Sequence, residues 1–417
     1  MKTKPNNKKR KEIIEYLKEL FKEHGDINRD EYLKLPGRQF SHHEINKYFS
    51  SWSLAISKVK VELNKHPEKY KNTEKLQETS LFFKKQNTTL SNQLRNEQIK
   101  TDAIIDACTA AVMKMNISPV KPAKKTKSLF DEQEMHVLRS DEQVGLAIDK
   151  KTTQNISEYN FKTYIKYLNK WMDKVLRFKE VDNKSLGLNK LVMARLGDHV
   201  EGETIYPGQA FNIDQPVVDQ IFESLKYEVE CILNLAQEFE SIDIYCISGN
   251  HGRAGKKGQH HERTNWDYIL HKVLKTMLQN QSNVNIFISS GPAMLIKHGK
   301  FNFLYKHGNN IPTWMGIPFY GLDRDYKKMQ VLYNMIVHYQ LVGHFHQPAN
   351  ISDQLLINGS FPGGTDFSVN KMGVATRPCQ KMFYFDKTHG INRETNIYLE
   401  DQWILKPDQD GIYTNHE

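Results

Sequence analysis

Cysteine is scarce: Cys108, Cys231, Cys246 and Cys379 are the four in 417 residues, and no two stand at CxxC spacing. That excludes a disulfide framework and a cysteine-based zinc knuckle, and makes a reducing compartment the expectation. Long apolar runs are also missing. None approaches the roughly 18 residues of a membrane span, and the basic start, Lys2 to Lys11, leads into an amphipathic stretch, so neither a membrane protein nor a secretory signal is expected. Hydrophobic residues at 39%, aromatics at 11% and charges at 26% exclude disorder over most of the chain. The length leaves room for more than one domain.

Acidic excess is absent, and the positive charge is unevenly spread. Residues 1–130 carry 27 Lys and Arg against 15 Asp and Glu, a net of +12, whereas the remainder carries 31 against 34, a net of −3. A basic first third joined to a nearly neutral body is the electrostatic footprint of a nucleic-acid-binding or membrane-surface arm, with a solvated tail as the plainer reading.

Within that third, residues 1–70 read as a helical module. Ile13, Ile14, Leu17, Leu20 and Phe21 recur at helical spacing and stop at His24-Gly25. Asn28 with Glu31, and Ser41 with Glu44, each have capping-box spacing; Tyr48, Phe49, Trp52, Leu54, Ala55 and Val59 give a further apolar stripe, with Ser51 as a candidate cap for a last short helix. Gly25-Asp26-Ile27 to Tyr32, Ser41-His42-His43-Glu44-Ile45 and Phe49 to Ala55 together resemble the helical repeat that accompanies homing endonucleases, a helix-turn-helix-like unit. The resemblance implies DNA contacts from His42, His43, Asn46 and Lys47. A protein-interaction module with Phe49 and Trp52 in its core is the alternative. Residues 71–130 read as a polar helical spacer ending in the extended linker Ser118-Pro119-Val120-Lys121-Pro122-Ala123-Lys124-Lys125.

From about residue 131 to 417, strand-like runs (Lys190 to Leu196, Ile242 to Ile247, Val284 to Ile288, Phe301 to Tyr305) alternate with amphipathic segments around Tyr159 to Phe178, Val217 to Phe239 and Trp266 to Leu278. That is the pattern of an α/β domain, in which chemistry gathers on loops after strands. The loops hold Ser140-Asp141-Glu142-Gln143, Gly197-Asp198, Gly249-Asn250-His251-Gly252-Arg253, His307-Gly308 and Gly343-His344-Phe345-His346. Each alone is a weak signal; the ordered set is not.

That set is similar to the calcineurin-like metallophosphoesterase superfamily, with its DxH, GDxxD, GNH(D/E), lone His and GHxH, over roughly residues 135–385. The resemblance points to phage-type and double-strand-break repair nucleases and implies a two-sheet β-sandwich flanked by helices, a four-layer α/β fold. Two divalent ions are implied, one held by Asp141, Gln143, Asp198 and His346, the other by Asp198, Asn250, His307 and His344, with Asp198 as the bridge. A shared carboxylate offsets the repulsion between two such ions, whose charge acidifies a bridging water into the nucleophile. His251 is implied to stabilise or protonate the leaving oxygen; Arg253 either forks to a phosphate oxygen or makes a structural ion pair.

Three positions depart from the pattern. Gln143 stands where the family usually has His, Glu201 replaces the second acid of GDxxD, and Gly252 replaces the acid after GNH. An amide oxygen at 143 tilts that ion toward Mn²⁺ or Mg²⁺, and a lost acid at 252 changes the support of His251. His199 reads as solvent-facing, His260 and His261 as part of a polar loop, and His298, His338 and His389 as ordinary residues. The piece Asn358-Gly359-Ser360 with Gly363-Gly364 lacks a P-loop lysine. The expected function is a Mn²⁺-dependent DNA nuclease, phage-encoded and acting in bacterial cytoplasm, with DNA as partner and a replication or repair subunit unspecified. The alternatives are a phosphatase or nucleotide phosphodiesterase, and a DNA-binding scaffold with weakened turnover.

Overall fold

The computed structural model describes residues 7–65, 73–115, 117–129, 132–153, 156–255, 263–314, 317–373 and 375–400; His260 and His261 lie outside them. The chain divides into two units, Met1–Gln93 and Leu94–Glu417.

The first unit contains α1 (Asn7–His24), α2 (Arg29–Lys34), α3 (His42–Phe49) and α4 (Trp52–Lys65). Both capping boxes form: Asn28 accepts from the Glu31 amide while Glu31 accepts from that of Asn28, and Ser41 and Glu44 do the same. Each box satisfies two amides that a helix start otherwise leaves unpaired. Ser51 Oγ accepts from the Leu54 amide at 3.2 Å at the start of α4. The apolar faces meet in one core of Ile13, Leu17, Phe21, Tyr32, Ile45, Phe49 and Val59. A further helix, α5 (Thr73–Val112), follows, and the division between units falls within it.

The second unit runs β1 (Glu134–Arg139), α6 (Phe161–Leu186), β2 (Lys190–Arg195), α7 (Val217–Glu238), β3 (Ser241–Cys246), α8 (Trp266–Met277), β4 (Val284–Ile288), β5 (Ala293–His298), β6 (Phe301–Lys306), α9 (Phe319–Tyr333), β7 (Tyr339–Val342), β8 (Ala349–Ser352), β9 (Leu355–Ile357), α10 (Asp366–Met372), β10 (Cys379–Asp386) and β11 (Gly390–Tyr398). The linker stretch carries no helix, as Pro119 and Pro122 require. It is anchored to this unit: the Val120 amide donates to Gln281 Oε1 (2.9 Å), that of Thr126 to Asn189 Oδ1 (2.8 Å) and Ser128 Oγ to the Ser185 carbonyl (2.8 Å).

The strands form two sheets, as the fold class expected from sequence requires. One has the order β11-β10-β1-β2-β3-β4, the other β5-β6-β7-β9-β8. β1 to β4 are parallel, as are β6, β7 and β9. Side chains alternate along each strand. On β1 and β2, Met135, Val137, Leu191 and Met193 join a core with α6, α7 and α8. Leu138, Val192 and Ala194 meet Phe303, Tyr305 and Leu341 of the second sheet in the sandwich interior. Leu304 packs with Met329 of α9, so the layers run helix, sheet, sheet, helix. Burying each Leu, Val or Phe in these layers contributes roughly 1.5–3 kcal/mol. The result brings the carboxyl ends of β1, β2, β3, β6 and β7 together.

Candidate metal centre

Three of those five loops, after β1, β2 and β7, hold their side chains by unusual backbone geometry. Asp141, Gln143, Asp198, His344 and His346 have φ of 53°, 45°, 56°, 68° and 60°. Among the described residues, Ser50 and Asn334 are the other non-glycines with positive φ, and both close helices. Each such residue costs on the order of 1–3 kcal/mol, a strain that accumulates where side-chain direction matters more than backbone comfort.

The loops bring these side chains close to those of Asn250 and His307. His307 Nε2 lies 2.9 Å from Asp198 Oδ2 and 3.1 Å from Asn250 Oδ1. His346 Nε2 is 3.3 Å from Asp141 Oδ1, and the His344 amide donates to both Asp141 oxygens at 3.0 and 2.9 Å. The His344 and His307 rings meet edge-on, centroids 5.0 Å apart, and Asp198, His307 and His344 offer ligand atoms within 4.8 Å of one another. Gln143 Nε2 is 3.4 Å from His251 Nε2. Asp141 and Asp198 are fully buried. Room for the Asp198 carboxylate depends on Gly249, where a Cβ would stand 2.0 Å from Asp198 Oδ1.

The donor set fits divalent cations. Gln143 Oε1 is buried without a hydrogen-bond partner, and Asp198 Oδ2 has the His307 ring nitrogen facing it; buried acceptors of this kind are costly unless something positive faces them. His307 Nδ1 is 2.8 Å from the Leu196 carbonyl, which can only accept, so Nδ1 carries a hydrogen, and Nε2 faces Asp198 and Asn250, where it holds a proton unless a cation takes that place. Electron-rich atoms that close need a cation or a proton among them. Burial lowers the basicity of His307, but Asp198 outweighs it and lifts the pKa to about 9; for His344, burial and the neighbouring His307 push it down to about 4. Burial opposes ionisation of Asp198, yet His307 and His251 hold its carboxyl well below the usual range.

His251, partly exposed, occupies the edge of this cluster. Its amide donates to Asp198 Oδ1 at 2.7 Å, and its Nδ1 lies 2.8 Å from Glu201 Oε2. Burial works against protonation, but Glu201 and then Asp198 raise its pKa to about 10, so it carries a proton at neutral pH. Glu201 thus supplies the acid that Gly252 lacks, and it is held by Tyr206 Oη (3.0 Å) and Gln209 Nε2 (2.9 Å). No side chain fits at 252, where a Cβ would stand 2.4 Å from Asn265 Oδ1. Arg253 commits Nε to the Asn250 carbonyl at 2.9 Å, and burial lowers its pKa. On α3, in the other unit, His43 and Lys47 are exposed, while His42 and Asn46 are half-buried and 3.3 Å apart.

Several supports escaped the sequence reading. Asp267, fully buried at the start of α8, accepts from the amides of Asp198 (2.9 Å), His199 (3.1 Å), Val200 (3.2 Å) and Gly249 (2.8 Å). His199, expected to face solvent, is instead fully buried with Nδ1 3.1 Å from Glu142 Oε1. It turns inward because Asp198, beside it in sequence, points to the site. Glu142 also accepts from Arg139 (2.7 Å), and Arg139 and Arg195 both donate to Glu228 of α7 at 2.8 and 2.7 Å. This charged group ties α7 to β1 and β2 beneath the loops. An Asp just inside a helix start after an Asn cap was the available signal for Asp267; nothing local marked Glu228.

No family model matches the chain. It is 23% identical over 263 residues to the SPbeta prophage-derived uncharacterized protein YonJ of Bacillus subtilis (strain 168), covering 60% of each chain. It is 28% identical over 189 residues to the DNA polymerase II small subunit of Pyrococcus horikoshii, covering 45% of this chain and 26% of that one. The chain therefore spans less than two thirds of either curated relative. Among solved structures, hypothetical protein PH1004 from Pyrococcus horikoshii OT3 is similar at a TM-score of 0.30 and 11% identity, over 64% of this chain and 88% of that one. A 5'-nucleotidase from Candida albicans SC5314 has a TM-score of 0.29 and 9% identity, over 66% and 54%.

Proposed function

We propose that this protein is a metal-dependent phosphoesterase acting on nucleic acid, a DNA nuclease. The observation that carries the reading is the convergence of five strand-end loops on one buried cluster of oxygen and nitrogen atoms, with Asp198 facing His307 at its centre and Gln143 Oε1 left unpartnered. Asp141, Gln143, Asp198 and His346 would hold one divalent cation, and Asp198, Asn250, His307 and His344 the other. Amide oxygens at 143 and 250 favour Mn²⁺ or Mg²⁺ over Zn²⁺. When bound, the cations supply Lewis-acid charge and an acidified water.

The remaining work falls to the chain's own groups. His251, kept protonated by Glu201, is placed to give its proton to the oxygen that leaves phosphorus, where negative charge grows. Arg253, oriented through Nε, offers its remaining guanidinium donors to a phosphate oxygen. The DNA assignment is supported by the net +12 of residues 1–130 and by the exposed His43 and Lys47 of α3. The prophage origin of one relative, and the polymerase association of the other, suit a phage protein working on DNA in a bacterial cytoplasm.

A second reading, a non-hydrolysing subunit of a replication assembly, is favoured by the name of the polymerase relative and by Gln143. One experiment separates the two: end-labelled single- and double-stranded DNA incubated with Mn²⁺, Mg²⁺, Zn²⁺ or EDTA, wild type against Asp198→Ala. Mn²⁺-dependent cutting lost in the variant supports the nuclease. DNA binding without cutting under any metal overturns it in favour of the subunit.

A further inference from the structure

At the opposite end of β1 from Asp141, a second group of ligating side chains is enclosed between the two sheets. Glu134 and His136 point inward from β1, and His298 reaches them from the end of β5 in the other sheet. Their relative exposures are 4%, 1% and 5%. Five to seven residues of extended strand separate them from Asp141, roughly 15–25 Å, so they take no part in the centre described above.

We propose that Glu134, His136 and His298 form a separate site for a zinc-type divalent ion. One ligand atom from each residue lies within 4.8 Å of the others. Glu134 Oε2 is 3.2 Å from His136 Nε2 and 3.8 Å from His298 Nδ1. In tetrahedral coordination at 2.0–2.1 Å, ligand atoms stand about 3.4 Å apart, so small side-chain movements complete the geometry. Two imidazoles and one carboxylate are a borderline-soft set that suits Zn²⁺ or Co²⁺, unlike the oxygen-rich strand-end loops.

The surroundings prepare these atoms. His298 Nε2 is 3.1 Å from Tyr305 Oη. With the hydrogen on Nε2 donated to Tyr305, His298 Nδ1 is left as a lone pair toward Glu134, the arrangement in which the far ring nitrogen of a ligating histidine is held by a partner. The His136 ring stacks on Phe383, centroids 4.9 Å apart, and lies 5.5 Å from the Phe303 centroid, which fixes its plane. Burial keeps both imidazoles uncharged: it lowers the basicity of His136 and takes that of His298 down to about 3. The carboxylate divides its two oxygens. Oε1 faces Lys387 Nζ at 3.1 Å and Lys190 Nζ at 3.8 Å, while Oε2 faces the histidines. Lys190 is itself satisfied by Asp243 at 2.6 Å. The Lys387 side chain is 61% exposed, so the site lies one side chain from solvent. Its ammonium repels a dication, and removing it strengthens binding.

The test uses the full-length chain carrying Asp198→Ala and His307→Ala, which disables the strand-end centre and separates this proposal from the nuclease reading. Equilibrium dialysis against Zn²⁺ with elemental analysis, and the visible spectrum after Co²⁺ addition, are the readouts. One equivalent of tightly held metal with four-coordinate Co²⁺ bands is expected, lost in Glu134→Gln and His298→Gln, and bound severalfold more tightly in Lys387→Ala. Circular dichroism of the metal-free variants checks folding, and the exposed Lys387 gives a reading if the buried variants misfold. No bound equivalent, bands that persist in both buried variants, or an affinity unmoved by Lys387→Ala would overturn the site.

Discussion

The carboxylate of Asp267 accepts the backbone amide of Asp198 at 2.9 Å, and the same two oxygens collect the amides of His199, Val200 and Gly249. One side chain from α8 thereby closes the loops after β2 and β3 against each other. Its burial, followed by repulsion from Asp198, raises its pKa to about 6. The four amides are what make a charged group tolerable there.

Asp267→Ala leaves four buried amides without an acceptor. With unsatisfied buried donors at about 1–3 kcal/mol each and partial relaxation, we expect a loss of about 3 kcal/mol in urea unfolding. Bound Mn²⁺ should fall as well, because Asp198 loses its left-handed backbone. Unchanged metal content with unchanged midpoint would show that Asp267 does not position the centre.

Gly249→Ala tests the packing of the same junction from the other side. A methyl group 2.0 Å from Asp198 Oδ1 has nowhere to go, since the neighbouring contact is the Asp198 backbone at 2.2 Å. Phosphodiester cleavage should drop at least about 100-fold, as expected for a misplacement of about 1 Å. Circular dichroism of the helical unit should be unaltered.

His251 and Glu201 should act as one device. His251→Ala is expected to reduce turnover by about 10²–10⁴, the range for general acid catalysis, while metal equivalents stay constant. Glu201→Gln should cost less alone and almost nothing further on top of His251→Ala, because its effect passes through the imidazole. Additive losses in the double variant would separate the two residues.

Much of this architecture was legible because it is local. The boxes at Asn28 and Ser41, the end of α1 at His24, and the strands at Val284–Ile288 and Lys190–Arg195 follow from caps and from short apolar runs, continuous at Leu191–Ala194, that only short-range geometry governs. The ligand series was legible because its order survives in the loops. Glu228 was not, since it sits mid-helix with no motif beside it and meets Arg139 only through the fold, 89 positions away. His199 was misjudged for a similar reason: the loop's left-handed turn at Asp198 sends neighbouring side chains to opposite sides. The Glu134, His136 and His298 cluster requires two sheets to face each other, which no spacing in the chain announces.

The thiols give an independent reading of the core. Burial pushes Cys231, Cys246 and Cys379 up to about 12, and that of half-buried Cys108 is raised as well. Since the thiolate is the reactive form, none of the first three should react with a thiol reagent in the native protein at pH 8. Cys108 should react slowly, and all four at once in denaturant. Rapid native labelling at Cys246 or Cys379 would mean that the sheet ends open far more readily than their packing allows.

The salt dependence of DNA binding tests the division of labour between the units. Each phosphate neutralised by a Lys or Arg contributes close to one to the slope of log K against log salt. Lys47→Ala should therefore weaken binding evenly across sequences and reduce the slope by about one, while cleavage of a short, saturating substrate is unchanged. Removing residues 1–70 takes away a larger share of the net +12 and should flatten the slope further. A slope that survives the deletion would place the DNA contacts on the second unit and leave the helical module, with half-buried Trp52 packed on Tyr32 of its core, as a surface for protein rather than nucleic acid.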